Sequence, residues 1–166
     1  MRGWTAGVLA TAYAASTVLA AQQFVPTGRG TLRGLPGVEV VVEPLEADLV
    51  TQALTTRTLG ERVAGQLRSA GITVYATQRD NASPSKPYVY VHVSALSVDA
   101  AHVAVAIQVH LRQTLVSLTT ESKIVDAMSW DAQELVVSPA SSLDAAINEE
   151  VRLLVARFVE DWRTVH

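Results

Sequence analysis

The sequence predicts an α+β fold. Its expected form is a two-layer sandwich: a mixed sheet of about five strands, in the order β-α-β-β-β-β-α, with two helices on one face. Three observations carry this reading. Two runs, "YVYVHVSALS" (Tyr88–Ser97) and "HVAVAIQVHLRQ" (His102–Gln113), alternate apolar and polar residues with the period of a half-buried strand. Two other segments repeat apolar residues with helical spacing, one following Pro44 and one closing the chain. A β-branched run stands on each side of the first of these helices, the arrangement of a strand, a crossover and a parallel strand.

The first residues, "MRGWTAGVLATAYAASTVLAAQQ", hold a single early charge at Arg2, an uncharged middle of small and apolar residues, and Val18-Leu19-Ala20. This is the order of a secretory signal peptide over residues 1–20, with cleavage expected before Ala21 or Gln22. Thr5, Thr11, Tyr13, Ser16 and Thr17 dilute the run, so a stable membrane span is not expected after cleavage. Residues 21–37 read as an extended lead-in rich in glycine and proline. Gly28, Gly30 and Gly34 have GxGxxxG spacing, precede the first strand and lack a following lysine with serine or threonine, so a phosphate loop is rejected. A single α+β domain is expected over residues 38–166.

"VEVVVEP" (Val38–Pro44) is a strand by its β-branched content, with Val38, Val40 and Val42 on one side and Glu39, Val41 and Glu43 on the other. In "TTRTLGERVAGQLRSAG", Leu59, Val63, Leu67 and Ala70 fall on one helical face. Thr58 and Glu61 have capping-box spacing, Thr55 offers a start one turn earlier, and Gly71 suits a left-handed carboxy-terminal cap. "ITVYAT" (Ile72–Thr77) follows as a second strand, parallel to the first. "RDNASPSKP" is an exposed loop, and its Asn81-Ala82-Ser83 sequon is followed by a disfavouring Pro84.

The two alternating runs form a long hairpin. If Val89, Val91, Val93 and Ala95 share the core side with Val103, Val105, Ile107, Val109 and Leu111, odd positions oppose odd ones and the loop holds an odd number of residues. Val98–Ala100 and Val98–His102 both satisfy this, with Asp99 as turn former. The longer loop sets Tyr90 opposite His110 and Tyr88 opposite Arg112. A further strand over about Ile124–Val137 is expected to be broken or bulged, because its apolar residues do not keep one parity. The closing helix places Leu143, Ile147, Val151, Leu154, Phe158, Trp162 and Val165 on one stripe, with Ser141 as expected cap and Asp144 in the first turn.

Composition narrows function more by exclusion. No cysteine occurs, which removes disulfides, thiolate metal sites and a lipid-modified amino-terminal cysteine. After cleavage about 146 residues remain (166 − 20), the size of one self-sufficient domain. Without Arg2 they hold 12 basic residues (13 − 1) against 16 acidic ones, which argues against a nucleic-acid partner.

The candidate binding face is the outward side of the hairpin: Tyr88, Tyr90 and His92, with Ser94, beside Gln108, His110 and Arg112. Aromatic rings, imidazoles and a guanidinium give contact area with a polar tip, which suits recognition. No metal is expected. His92 and His110 would need a third ligand, and no carboxylate is placed near them in this register; His102 lies at a turn and His166 ends the chain. No cofactor is expected. No GxSxG elbow occurs, and Asp131 with Glu134, or Glu149 with Glu150, read as solvated charges, so no catalytic residue is assigned. Trp162 is expected in the core, and Trp130, with Met128, is expected to cover an edge or contact a partner.

From "LPGVEVVVEPLEADL" through "GITVY", "SPSKPYVYV" and "PYVYVHV" to "EEVRLLVARFVEDW", the chain resembles a group of exported bacterial proteins of about 150 residues whose role is not known. More loosely, its element order is similar to small periplasmic domains such as the TolB amino-terminal domain and the lipoprotein partner of the lipopolysaccharide translocon; the lipobox cysteine of the latter is missing. The resemblance implies an exported, periplasmic or extracellular, α+β protein. The expected role is a non-catalytic binding or envelope-accessory module that meets a protein partner, or a second copy, through the sheet face or an edge strand. The alternative is a small hydrolase or ligand-binding protein using the same polar face.

Overall fold

The structure, a computed structural model, describes residues 28–117 and 120–166. The expected leader, its cleavage point and the start of the lead-in lie outside them. The elements run β1 (Glu39–Val42), α1 (Thr56–Ser69), β2 (Tyr88–Ser97), β3 (His102–Val116), β4 (Lys123–Pro139) and α2 (Leu143–Arg163), with short 3-10 turns at Gly28–Leu32, Ala47–Leu49 and Ala140–Ser142. The sheet is mixed and four-stranded in the order β1-β2-β3-β4, with β1 parallel to β2 and the other pairs antiparallel.

The fifth strand is the first correction. Ile72–Thr77 shrinks to one parallel bridge, Val38 to Val74, held by Val38 N–H on Thr73 O (2.9 Å) and Tyr75 N–H on Val38 O (2.9 Å). The side chain of Thr77 then draws the chain away: its hydroxyl accepts from Arg79 N–H (3.2 Å) and donates to Asp80 (2.8 Å). Such local bonding competes with a ladder. β2 therefore runs as the neighbour of β1 along its length.

The hairpin takes the register of the longer loop. Val89 opposes Leu111, Val91 opposes Val109, Tyr90 opposes His110 and Tyr88 opposes Arg112. Asp99 accepts from the backbone of Ala101 (2.7 Å) and His102 (2.8 Å), which closes the turn. Val89, Val91, Val105, Ile107, Val109 and Leu111 have no solvent exposure. They pack against Leu59, Val63 and Leu67 of α1 and Ile147, Val151, Leu154, Val155 and Phe158 of α2, so one face of the sheet is sealed by both helices.

Both helices follow their sequence stripes, with two changes at their starts. Thr55, not Thr58, is the cap of α1: its hydroxyl accepts from Thr58 N–H, while Thr58 returns the bond to Thr55 N–H (3.0 Å each). Two threonines thus make the capping box, and Glu61 takes no part. In α2 the cap position is Ser142 rather than Ser141, and no side chain caps the helix; Ser142 instead turns back to the carbonyl of Pro139 (3.3 Å).

β4 is bulged, as its broken parity predicts. The register shifts twice against β3, between Leu111 and Arg112 and between Gln113 and Leu115. One surplus residue is Ser129, buried and donating to Leu111 O (3.3 Å); Asp126, in the other, has a left-handed φ of 59°. The shift turns Trp130 inward. Expected at an edge or a partner surface, Trp130 is instead a core residue, edge-on to Phe158 at 5.0 Å, with its indole N–H donating to buried Asp161 (2.9 Å). A buried indole needs such an acceptor. Trp162, expected in the core, is half-buried against it and stacks on His166 at 4.5 Å.

Of the expected lead-in, residues 28–37 are described, and they are joined to this core. The 3-10 turn Gly28–Leu32 lies against β4; Arg29 pairs with Asp161, Thr31 donates to Ser129 O (3.0 Å), and Leu32 is fully buried. At Gly37 the chain passes so close to Thr73 that an added Cβ would stand 2.7 Å from its carbonyl oxygen, at a φ of +148° that side chains rarely adopt. Gly37→Ala should therefore cost about 1–3 kcal/mol, read as a lower denaturant midpoint with unchanged slope. An unshifted midpoint would mean that the Val38–Val74 bridge yields without cost.

Candidate functional site

The uncovered face of the sheet is built in rows, because directly opposed residues on neighbouring strands share a face. The first full row runs Glu39, Tyr88, Arg112, Met128; the next Val41, Tyr90, His110, Asp131. Gln108 joins His92 to Gln133 in the third. Beyond it Ser94, Ala106 and Leu135 align, then Leu96, Ala104 and Val137. The face is polar and aromatic at one end and apolar at the hairpin end, where Leu96, Leu135 and Val137 are 72%, 68% and 62% exposed.

All six candidate residues, Tyr88, Tyr90, His92, Gln108, His110 and Arg112, lie together on this face. The sequence missed what holds them. Glu43, just past β1, accepts from the Tyr90 hydroxyl and lies 2.6 Å from His92 Nδ1. Asp126, in the β4 bulge, accepts from the Tyr88 hydroxyl and lies 3.5 Å from the Arg112 guanidinium. Arg112 is also 5.6 Å from the centre of the Tyr90 ring, which stacks on His110 at 6.3 Å and meets Tyr88 edge-on at 6.4 Å. The expectation that no carboxylate stands near the histidines is thus corrected: Glu43 touches His92, and Asp131 opposes His110. The signal was present in the parity of Glu39 and Glu43. It had no address until β1 was known to lie beside β2.

Carboxylate contacts set the electrostatics. The hydrogen bond from Tyr90 holds Glu43 below the usual carboxylate range, with His92 adding to it, and the same bond raises the Tyr90 phenol. Tyr88 is raised first by burial and then by Asp126. Glu39, which burial raises, has one carboxylate oxygen shut from solvent without a partner. Among the described residues no group of three metal-ligating side chains forms, and no helix there is long and apolar enough to cross a membrane.

The larger hollows lie elsewhere. Cavities of about 650 and 450 Å³ sit between α1 and α2, on the far side of the core, and Gln66, donating to Arg152 O (2.9 Å), lines both. On the sheet face itself a cavity of about 210 Å³ opens beyond the Tyr88 row. The buried side chain of Asn81 bonds Pro87 O (3.3 Å) and Ser83 N–H (3.1 Å), so the sequon asparagine is spent inside its loop.

No protein-family model matches the chain, and no curated protein matches it. Among solved structures, the PelC dodecamer from Paraburkholderia phytofirmans is similar over 78% of this chain and 91% of its own, at 14% identity and a TM-score of 0.42. A candidate lipoprotein from Caulobacter crescentus CB15 covers 75% of this chain and 88% of its own, at 12% identity and a TM-score of 0.31. A minor lipoprotein from Acinetobacter baumannii covers 76% and 91%, at 9% identity and a TM-score of 0.31. At these identities and scores the role of the site rests on its own residues.

His110 supplies a pH test. Burial lowers its pKa below the ordinary 6.5, against the opposing pull of Asp131. A depressed folded pKa means the unfolded chain binds the proton more readily, so the stability linked to neutral His110 is complete above 6.5 and is lost as pH falls through the folded value. His110→Gln should flatten the stability profile as pH falls below about 6.5, measured by denaturant titration at each pH. A variant that loses stability over this range as wild type does would assign the loss to other groups.

Proposed function

We propose that this chain is a non-catalytic binding module that works outside the cytoplasm as an accessory to an envelope process, and that it meets a protein partner through the uncovered sheet face. One observation carries the reading. Tyr88, Tyr90, His92 and Arg112 are held in place by Glu43 and Asp126 before any partner arrives. Side chains fixed in advance lose little conformational entropy on binding, which is how a surface gains affinity without added contacts. The apolar end of the same face supports a partner of mixed character, and a second copy of the chain would meet that description. The leader pattern of residues 1–20 supports export, to the periplasm or beyond.

A small hydrolase is the weaker reading. The carboxylate–imidazole contact of Glu43 and His92 has the pairing of a catalytic base. The hydroxyl beside it is a raised phenol already spent on the same carboxylate.

The test is a pull-down of the full chain from its own envelope extract, compared with a Tyr90→Ala, His92→Ala, His110→Ala variant that retains the wild-type circular dichroism. The variant should lose a specific partner that wild type captures. An unchanged set of partners would turn the search to the edge strands. The same preparation tests export: its amino-terminal sequence should begin at Ala21 or Gln22, and protein beginning at Met1 would refute a cleaved leader.

A further inference from the structure

We propose that the concave end of the sheet face, beside Lys86 and Thr114, is a binding site for a carboxylate group. The inference deepens the reading of this face as a binding surface and names a chemical class for its ligand. The cavity of about 210 Å³ is lined by Gln78, Lys86, Tyr88, Gln113, Thr114 and Asp126, with Val125 at its rim. Pockets for drug-sized ligands run about 300–1,000 Å³, so this one suits a small headgroup, not a whole cofactor.

Its walls are held at a cost. Lys86 and Asp126 have φ values of 45° and 59°, and of the three non-glycine residues with positive φ among those described, two line this cavity. Such backbone persists where the surroundings fix it, and it gathers at ligand sites. One wall is the loop before β2, which is wired through its own side chains. Asn81 binds Pro87 O and Ser83 N–H, Ser83 bonds Ser85 at 2.8 Å, and Thr114 N–H donates to Ser85 O at 2.7 Å. The other wall is the β4 bulge.

Charge selects the ligand. The Asp126 carboxylate is already matched by Arg112 and the Tyr88 hydroxyl. The Lys86 ammonium is held by two neutral carbonyls, Gln78 O at 3.0 Å and Asn81 O, and makes no ion pair among the described residues. An ammonium has three donors, so one remains, and Thr114, which lines the same cavity, has a hydroxyl with no hydrogen-bond partner among the described residues. The uncompensated charge of the cavity is therefore positive, and both the spare ammonium proton and the Thr114 hydroxyl can donate. A carboxylate accepts such donors in short, charge-assisted bonds.

The experiment is a titration of the full, isotope-labelled chain, followed by backbone amide shifts. Three probes are used: N-acetylglycine, its uncharged amide, and inorganic phosphate. N-acetylglycine should give saturable shifts at Lys86, Thr114 and Asp126, and the amide should bind at least about tenfold more weakly, the loss expected for one charge-assisted bond. Lys86→Gly keeps a residue that favours positive φ while deleting the ammonium. It should abolish the shifts without unfolding the loop. Thr114→Val should weaken them. Equal binding of the amide, no saturable shift in wild type, undiminished binding in Lys86→Gly, or tighter binding of phosphate would each overturn the assignment. A specific protein partner lost from the triple variant would still stand in any of these cases, so the two readings fail separately.

Discussion

Everything on this molecule's surface depends on the register between β2 and β3. Strand side chains alternate with a period of two, so a slip of one residue would exchange the two faces of the sheet. The fully buried row of Val89, Val91, Val105, Ile107, Val109 and Leu111 forbids that exchange. Exposing even one such side chain costs about 1.5–3 kcal/mol, and six would move together. The same constraint that seals the helix side fixes Tyr88, Tyr90, His92, His110 and Arg112 on the opposite side. The polar face is a consequence of core packing as much as an independent feature.

Two non-local events turn that face into an ordered network. The parallel placement of β1 against β2 delivers Glu43 to Tyr90 and His92. The bulge in β4 delivers Asp126 to Tyr88 and Arg112. Bulges re-aim side chains, and β4 has two that do so: the one at Asp126 carries its carboxylate over the outer face, and the one at Ser129 turns Trp130 into the core. Asp161 then joins the bulge to the amino-terminal turn, accepting from Trp130 on one side and Arg29 on the other.

What the sequence disclosed follows the reach of its interactions. The hairpin parity, the stripes of both helices and the irregularity near residue 124 are local patterns, and each was legible. The aborted strand at Ile72–Thr77 was not, because its β-branched residues have the right propensity and the competing turn at Thr77 rests on three hydrogen bonds within four residues, two of them made by the Thr77 hydroxyl. Glu43 could be assigned to the outer face by parity but not to a neighbour, since parallel pairing is chosen by the whole fold. Trp130 was misplaced for a related reason. Broken parity showed that a bulge was present, without showing on which side of it the indole would fall.

The edges of the sheet bear on the proposed binding role of the face. A bare edge strand is a template for unwanted pairing, and proteins blunt it with bulges, covering segments, proline and inward-pointing charges. β4 carries all of these: register shifts in its first half, the Gly28–Leu32 turn laid against it, Pro139 at its end, and Glu134, opposite Ile107 on the helix side yet exposed at the margin. At the other edge, Thr73 and Tyr75 occupy the backbone of Val38. The outer face has no comparable protection. It presents exposed Leu96, Leu135 and Val137 beside rings already fixed by carboxylates. A blunted β4 edge next to an undefended, pre-ordered face fits the proposed association through side chains better than one through pairing at that edge.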